Sequence, residues 1–150
     1  MQTYPILKHM VYIRKLYDVL FSEFRTDVNL NQTEVDILGF LSNHPDMNTS
    51  VQIAEYRMIP KANISKAVDV LCQKGLLAAE RDEGDRRRVR LRLTAQAESV
   101  VKDIQSVQQQ YGSALTKDFS DEEMSIIISF MERMTNNAQE MIKENQRGNQ

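Results

Sequence analysis

Cysteine, glycine, proline and long apolar runs are all scarce in this chain of 150 residues. The single cysteine, Cys72, excludes an internal disulfide framework and is typical of a reducing compartment. Five glycines and three prolines offer few helix breaks, so we expect a mostly helical protein. No apolar run is long enough to span a bilayer or to resemble a secretion signal. We therefore expect a cytoplasmic protein with no membrane partner.

The composition is that of an ordinary globular protein. Hydrophobic residues make up 41% of the chain and charged residues 27%. At this length we expect one domain with a hydrophobic core that needs no disulfide or structural metal. The net charge of −2, considered alone, argues against a nucleic-acid partner.

Periodic apolar residues predict helices at both ends of the chain and two short helices near its middle. The first helix is expected over residues 5–25 and the second over 31–43, where Asn31 and Glu34 have capping-box spacing. Residues 50–75 predict a helix-turn-helix. Its first helix follows a Thr49–Gln52 capping box and turns Val51, Ile53 and Ala54 inward, and its second opens with Pro60 in its first turn and closes at Gly75.

Residues 76–93 predict a β-hairpin. Residues 88–93 alternate strictly between arginine and an apolar residue, which is typical of a strand with one buried and one basic face. Asp85, Arg86 and Arg87 are expected near the hairpin tip. Thr94 is then expected to cap a long helix, and a Ser120–Glu123 capping box begins a last helix whose tail frays over residues 144–150.

Charge is distributed very unevenly along the chain. Residues 57–92 hold ten basic and five acidic side chains, a net charge of +5, whereas the remaining residues carry −7. A helix fits the major groove of DNA, and arginines on a hairpin tip suit the negative potential of the minor groove. The candidate DNA-binding residues are Thr49, Ser50, Lys61, Ala62, Asn63, Ser65, Lys66, Arg86, Arg87 and Arg88.

These segments resemble the MarR family of winged helix-turn-helix regulators. Lys74-Gly75-Leu76-Leu77 through Arg81, then residues 85–94, are similar to the family's K-G-L-[VI]…R and D-x-R…L-T wing signature, with Asp85, Arg87, Leu93 and Thr94 on its invariant positions. The order of the flanking helices also agrees, and residues 115–123 precede the last helix as in the family.

The resemblance implies an α+β, mostly α, fold in a single MarR-like domain over residues 1–150. Residues 1–28 and 95–150 would be dimerisation helices, and residues 29–94 a winged helix-turn-helix lobe. Asp85 would brace the wing, and Arg87 would enter the minor groove. Such regulators bind a palindromic operator as homodimers, and many are repressors released by a small aromatic or phenolic ligand or by oxidation.

Other candidate sites are weaker. Cys72 lies on the apolar side of its helix and is expected to be buried and inert. The two histidines, His9 and His44, are too sparse for a metal site, and no cofactor is expected. Met10 and Tyr17 could line a ligand pocket or could belong to a filled dimer core. No catalytic motif is present, so we expect no enzyme activity.

The sequence therefore predicts a homodimeric transcription regulator, more often a repressor than an activator, whose partner is double-stranded DNA and whose candidate effector is a small phenolic or aromatic molecule. The alternative is a winged-helix module that binds a protein instead of an operator.

Overall fold

A computed structural model describes residues 4–82, 84 and 88–148. The elements, in chain order, are α1 (Tyr4–Val28), α2 (Gln32–Asn43), α3 (Ser50–Arg57), α4 (Lys61–Gln73), β1 (Leu77–Arg81), β2 (Val89–Leu93), a 3-10 turn (Ala95–Ala97), α5 (Glu98–Leu115) and α6 (Asp121–Gly148). This mostly α architecture with a small sheet confirms the predicted winged helix-turn-helix fold class. Within the described residues, no helix combines the length and apolar character that a membrane span requires.

The chain divides into two compact units, residues 1–111 and 112–150. The first unit holds the lobe (residues 29–94), together with α1 and most of α5, around one hydrophobic core. This core includes Phe21 of α1, Leu38 of α2, Ile64 and Leu71 of α4, and Ile104 of α5, each of which is completely buried. The second unit contains the end of α5 and all of α6. The arrangement of one domain over residues 1–150 stays a prediction.

Local sequence signals place the helix starts well. The Asn31–Glu34 and Thr49–Gln52 capping boxes form, each with a side-chain bond in both directions. The predicted Ser120–Glu123 box also forms, because Glu123 N donates to Ser120 Oγ at 3.2 Å and Ser120 N donates to Glu123 Oε2 at 2.8 Å. Gly75 has φ +71°, the left-handed conformation expected of a residue that closes a helix.

The two strands pair antiparallel from Leu77 opposite Leu93 to Arg81 opposite Val89. Leu77 and Leu91 face the core and are buried, whereas Arg90 and Arg92 are exposed. The alternating pattern of residues 88–93 therefore predicted the basic face of β2 correctly and the buried position of Leu91, whereas Val89, expected on the buried face, is 42% exposed.

Several predicted details are wrong. α1 is longer than residues 5–25, and α6 continues to Gly148 where fraying was expected from residue 144. Pro60 is the N-cap of α4, at ψ 134°, so it precedes the first turn instead of lying within it. Val51 is 47% exposed, because the buried side of α3 is taken by Ile53 and Ala54.

Thr94 does not cap a long helix with its side chain. It precedes the 3-10 turn, and its hydroxyl donates to the carbonyl of Gly75 at 2.6 Å. A contact across the lobe has therefore replaced the local capping bond that the sequence favoured. α5 begins only after this turn, at Glu98.

Candidate nucleic-acid interface

Helix α4 separates its apolar and polar residues cleanly. Ile64, Ala67 and Leu71 recur at spacings of three and four and are buried against the lobe. All five α4 residues predicted to contact DNA are exposed on the remaining surface: Lys61, Ala62, Asn63, Ser65 and Lys66. The helix therefore presents a row of short polar and basic side chains that a partner can reach.

A groove between the start of α3 and the start of β2 brings three more predicted residues together. Thr49, Ser50 and Arg88 line this groove, whose volume is about 610 Å³. Leu91 N donates to the carbonyl of Asn48 at 2.7 Å, which joins β2 to the loop before α3. The first turn of α3 and Arg88 therefore border one open space, which is also lined by the acidic residue Glu55.

The wing carries a brace that the sequence reasoning missed. Arg90 of β2 forms an ion pair with Asp82, and its Nη1 lies 3.4 Å from Asn48 Oδ1. Asp82 N also donates to the carbonyl of Arg88 at 2.9 Å. The sequence reasoning interpreted Asp82 only as part of a turn. In the folded hairpin, Asp82 instead pairs with Arg90 on β2.

The predicted wing-tip residues Asp85, Arg86 and Arg87 lie outside the described residues. The bracing role of Asp85 and the minor-groove role of Arg87 therefore remain predictions.

Ion pairs distinguish two groups of basic residues. Arg57 lies 2.6 Å from Asp36 and Lys74 lies 3.0 Å from Glu34, while Arg92 pairs with Glu80. Within residues 4–82, 84 and 88–148, no carboxylate partner is found for Lys61, Lys66, Arg81 or Arg88. Within residues 57–92, the positive charge that lacks a carboxylate partner among the described residues therefore lies on α4 and on the hairpin.

The Asp36 network, formed by Tyr17, Gln32, Asp36 and Arg57, joins α1 to the lobe. Oδ1 of Asp36 accepts from Tyr17 Oη at 3.0 Å and from Gln32 Nε2 at 2.9 Å, and it pairs with Arg57 Nη2. Burial, followed by the charge and hydrogen bond of Asp36, raises the pKa of Tyr17 to about 12. Burial acts to lower the pKa of Arg57, but the Asp36 carboxylate outweighs it and raises that pKa. Sequence reasoning missed Asp36 and counted Arg57 only as a surface charge.

The two candidate ligand-pocket residues differ in their surroundings. Met10 is 53% exposed in the single chain. The ring of Tyr17 packs against Phe21 at 4.4 Å and against the edge of Tyr111 at 5.4 Å between ring centroids, and its hydroxyl bonds to Asp36. Tyr17 is thus engaged within its own chain, and its role in binding a ligand stays a prediction.

Cys72, which was expected to be buried, is only partly buried, and His44 has ordinary structural surroundings. Burial, and then the nearby charge of Asp69, raise the pKa of the Cys72 thiol, which disfavours the reactive thiolate. His44 ends α2, where its ring packs against Phe40 and Tyr56. In the part of the chain that the structure describes, no group of three or more His, Cys, Asp or Glu side chains could hold a metal ion.

Comparison with known proteins agrees with this architecture. Residues 28–88 match the model of the MarR family. A MarR protein from Peptoclostridium difficile aligns at 20% identity and TM-score 0.76, covering 89% of this chain and 86% of that one. MepR of S. aureus, solved as a DNA complex, aligns at 19% identity and TM-score 0.73, covering 92% and 96%. BpsR of Bordetella bronchiseptica, whose DNA binding is regulated by 6-hydroxynicotinic acid, aligns at 19% identity and TM-score 0.67, covering 89% and 93%.

Proposed function

We propose that this chain, whose residues 28–88 match the model of the MarR family, is a DNA-binding transcription regulator that represses its target genes. The observation that carries the proposal is a set of exposed cations on α4 and the hairpin that have no carboxylate partner among the described residues. Lys61 and Lys66 are exposed on α4 without a carboxylate partner among the described residues, and Arg88 borders the groove at the start of α3. The proposal assigns the chain no catalytic role and places it in the cytoplasm.

Each element has a role in this proposal. The first turn of α4 enters the major groove, where Ala62 and Asn63 contact base edges and Lys61 contacts a phosphate. Ser65 and Lys66 follow on the same exposed surface. Thr49, Ser50 and Arg88 hold the phosphate backbone in the groove between α3 and β2. Arg86 and Arg87 at the wing tip would reach the minor groove, with Asp85 as a brace.

Two copies would bind together. The exposed apolar side chains of α1 and α6, which include Val11, Tyr12, Ile128 and Met131, suit a homodimer interface. A two-fold symmetric dimer calls for a palindromic operator, with half-sites about one turn, or ~10 bp, apart or a multiple of this. Occupation of such a site near a promoter would block transcription.

A small aromatic effector would release the operator by changing the spacing of the two α4 helices. Support for an effector comes from BpsR, a structural relative whose DNA binding responds to 6-hydroxynicotinic acid. Met10 and Tyr17 are the candidate contacts for such a ligand.

Removal of the unpaired lysines tests the proposal directly. Lys61→Ala and Lys66→Ala should each weaken binding to the DNA upstream of the chain's own coding sequence. Each should also reduce the slope of log affinity against log salt by about one unit per chain, because a phosphate contact is lost. The measurement is fluorescence anisotropy with a labelled duplex between 50 and 200 mM salt.

Lys102→Ala is the matched control, because Lys102 is an exposed lysine on α5, outside the lobe. It should leave both the affinity and the slope unchanged. If all three variants lose affinity equally, the lysines act only through overall charge, and the assignment of α4 to the major groove is wrong.

A further inference from the structure

The Asp36 network ties the element expected to form the dimer to the helix that precedes α4. Tyr17 lies in the middle of α1, Asp36 in α2 and Arg57 at the last position of α3. One carboxylate oxygen, Asp36 Oδ1, accepts from Tyr17 at 3.0 Å and pairs with Arg57 at 2.6 Å. Three helices therefore meet at one atom.

The carboxylate of Asp36 is largely buried, whereas the side chain of Arg57 is 35% exposed, and the network reaches further along α1. The side chain of Asp36 is 10% exposed, and Gln32 Nε2 donates to the same oxygen at 2.9 Å. The Oε1 atom of Gln32 in turn accepts from Arg25, two turns beyond Tyr17 on α1. Charge-assisted hydrogen bonds in such surroundings hold a narrow geometry, since water competes poorly for the donors.

Tyr17 also contacts α5. The edge of Tyr111 meets its ring at 5.4 Å, and Tyr111 Oη donates to the carbonyl of Ile13 at 3.3 Å. Tyr17 therefore touches α5 with its ring and the lobe with its hydroxyl. These two contacts can be separated by mutation, because Tyr17→Phe removes the hydroxyl, with its bonds to Asp36 and Gln32, and keeps the ring.

Only a short, well-ordered segment separates Arg57 from α4. Met58 adopts φ +54°, and Ile59 N donates to the carbonyl of Ala54 at 3.1 Å, which closes the end of α3. Pro60 then precedes Lys61, the first residue of α4. Because only three residues separate Arg57 from Lys61, a displacement of Arg57 relative to α1 would also move the first turn of α4.

We propose that Tyr17, Asp36 and Arg57 are positioning residues that fix the angle of the lobe on α1, and thereby set the half-site spacing that the protein accepts. The proposal rests on the proposed function, because a spacing exists only if two α4 helices bind one duplex. Arg57, although it belongs to the basic segment, acts through Asp36 and not through DNA.

The test compares operators with different spacing. The upstream operator, versions with one base pair inserted or deleted between the half-sites, and a random duplex are each titrated with wild-type protein, Tyr17→Phe and Asp36→Asn. The wild type should prefer the native spacing. In both variants, the ratio of the affinity for the native spacing to that for the altered spacings should fall about fivefold or more, which is a typical size for coupling between two sites. Binding to the random duplex and its salt dependence should stay unchanged, because the phosphate-contacting lysines remain.

Tyr111→Phe is the matched control, because it also removes one tyrosine hydroxyl from the junction but no bond to the lobe. It should keep the spacing preference of the wild type. Melting temperatures of all variants separate lost stability from lost positioning, since a merely destabilised variant loses affinity for every duplex alike.

The outcomes distinguish the two proposals. Wild-type protein that prefers no operator over random DNA would contradict the proposed function itself. If the wild type binds its operator with a spacing preference that Tyr17→Phe and Asp36→Asn retain, the proposed function stands and the positioning role is overturned. An equal loss for all spacings and for the random duplex would likewise assign the network to stability alone.

Discussion

Among single side chains, Tyr17 is placed most unusually, because its phenol meets a carboxylate in a half-buried junction. The Asp36 carboxylate accepts its hydrogen bond at 3.0 Å and disfavours a second negative charge beside it. The Tyr17 hydroxyl stabilises the fold only while it is protonated, because only then can it donate a hydrogen bond to Asp36.

The stability of the protein should therefore depend on pH in the alkaline range through Tyr17. The pKa of Tyr17 is raised from 10.0 to about 12, so between these values the unfolded chain releases a proton that the folded chain retains. The unfolded state binds fewer protons there, and the free energy of unfolding falls as pH rises. Tyr17 should contribute at most about 1 kcal/mol of this fall at pH 11, since its site is partly open to solvent.

Urea unfolding at pH 9 and pH 11 measures this contribution. Tyr17→Phe should lose less stability between the two values than the wild type. Tyr56→Phe, at a tyrosine that is 55% exposed, serves as the control and should lose as much as the wild type. A fall of the same size in Tyr17→Phe would show that Tyr17 titrates normally.

Among the elements, those with strong local signals could be predicted from the sequence. Capping boxes at Asn31, Thr49 and Ser120 place three helix starts correctly, and the alternation of residues 88–93 gives the basic face of β2 and the buried position of Leu91. Such signals depend on neighbouring residues alone. The positions where prediction failed depend on distant contacts, as at Thr94, whose hydroxyl bonds to the carbonyl of Gly75.

The candidate site could be predicted only in part for the same reason. The exposure of the residues predicted on α4 follows from their helical spacing. The partner of Arg57, however, lies 21 positions earlier in the chain, and no periodic pattern links the two residues. The Asp82–Arg90 ion pair likewise depends on the folded hairpin, which brings these two residues together.

Helices α1 and α6 keep apolar side chains that the single chain does not bury. On α6, Ile127, Met131 and Met134 recur at spacings of four and three, and their exposed fractions are 37%, 53% and 44%. Exposed apolar stripes of this kind mark interaction surfaces. A second copy of the chain is the partner that the proposed function requires.

The substitution Met131→Glu should therefore break the dimer, because it places a carboxylate in an apolar interface. We expect light scattering after size exclusion to give the mass of a dimer for the wild type and a monomer for Met131→Glu at micromolar concentration. Ser129→Glu introduces the same charge on the opposite side of α6 and should remain dimeric. A monomeric wild type would contradict the homodimer proposal.

For the whole molecule, the decisive feature is the separation of charge. The net charge of −2 is the sum of +5 on residues 57–92 and −7 elsewhere. Four of the basic residues in that segment are paired with carboxylates. Lys61, Lys66 and Arg88 therefore matter more for DNA binding than the net charge of the segment. The acidic remainder would be repelled by DNA and would turn the basic lobe toward it.

The salt dependence of duplex binding by the wild-type protein tests this account most directly. Affinity is measured from 50 to 200 mM salt for the chain's own upstream DNA and for random DNA of equal length. With Lys61, Lys66 and Arg88 of each of two chains at phosphates, log affinity should fall against log salt with a slope of about −5, and the upstream DNA should bind more tightly throughout. A flat response, or equal affinity for both duplexes, would contradict operator binding and favour a protein-binding module instead.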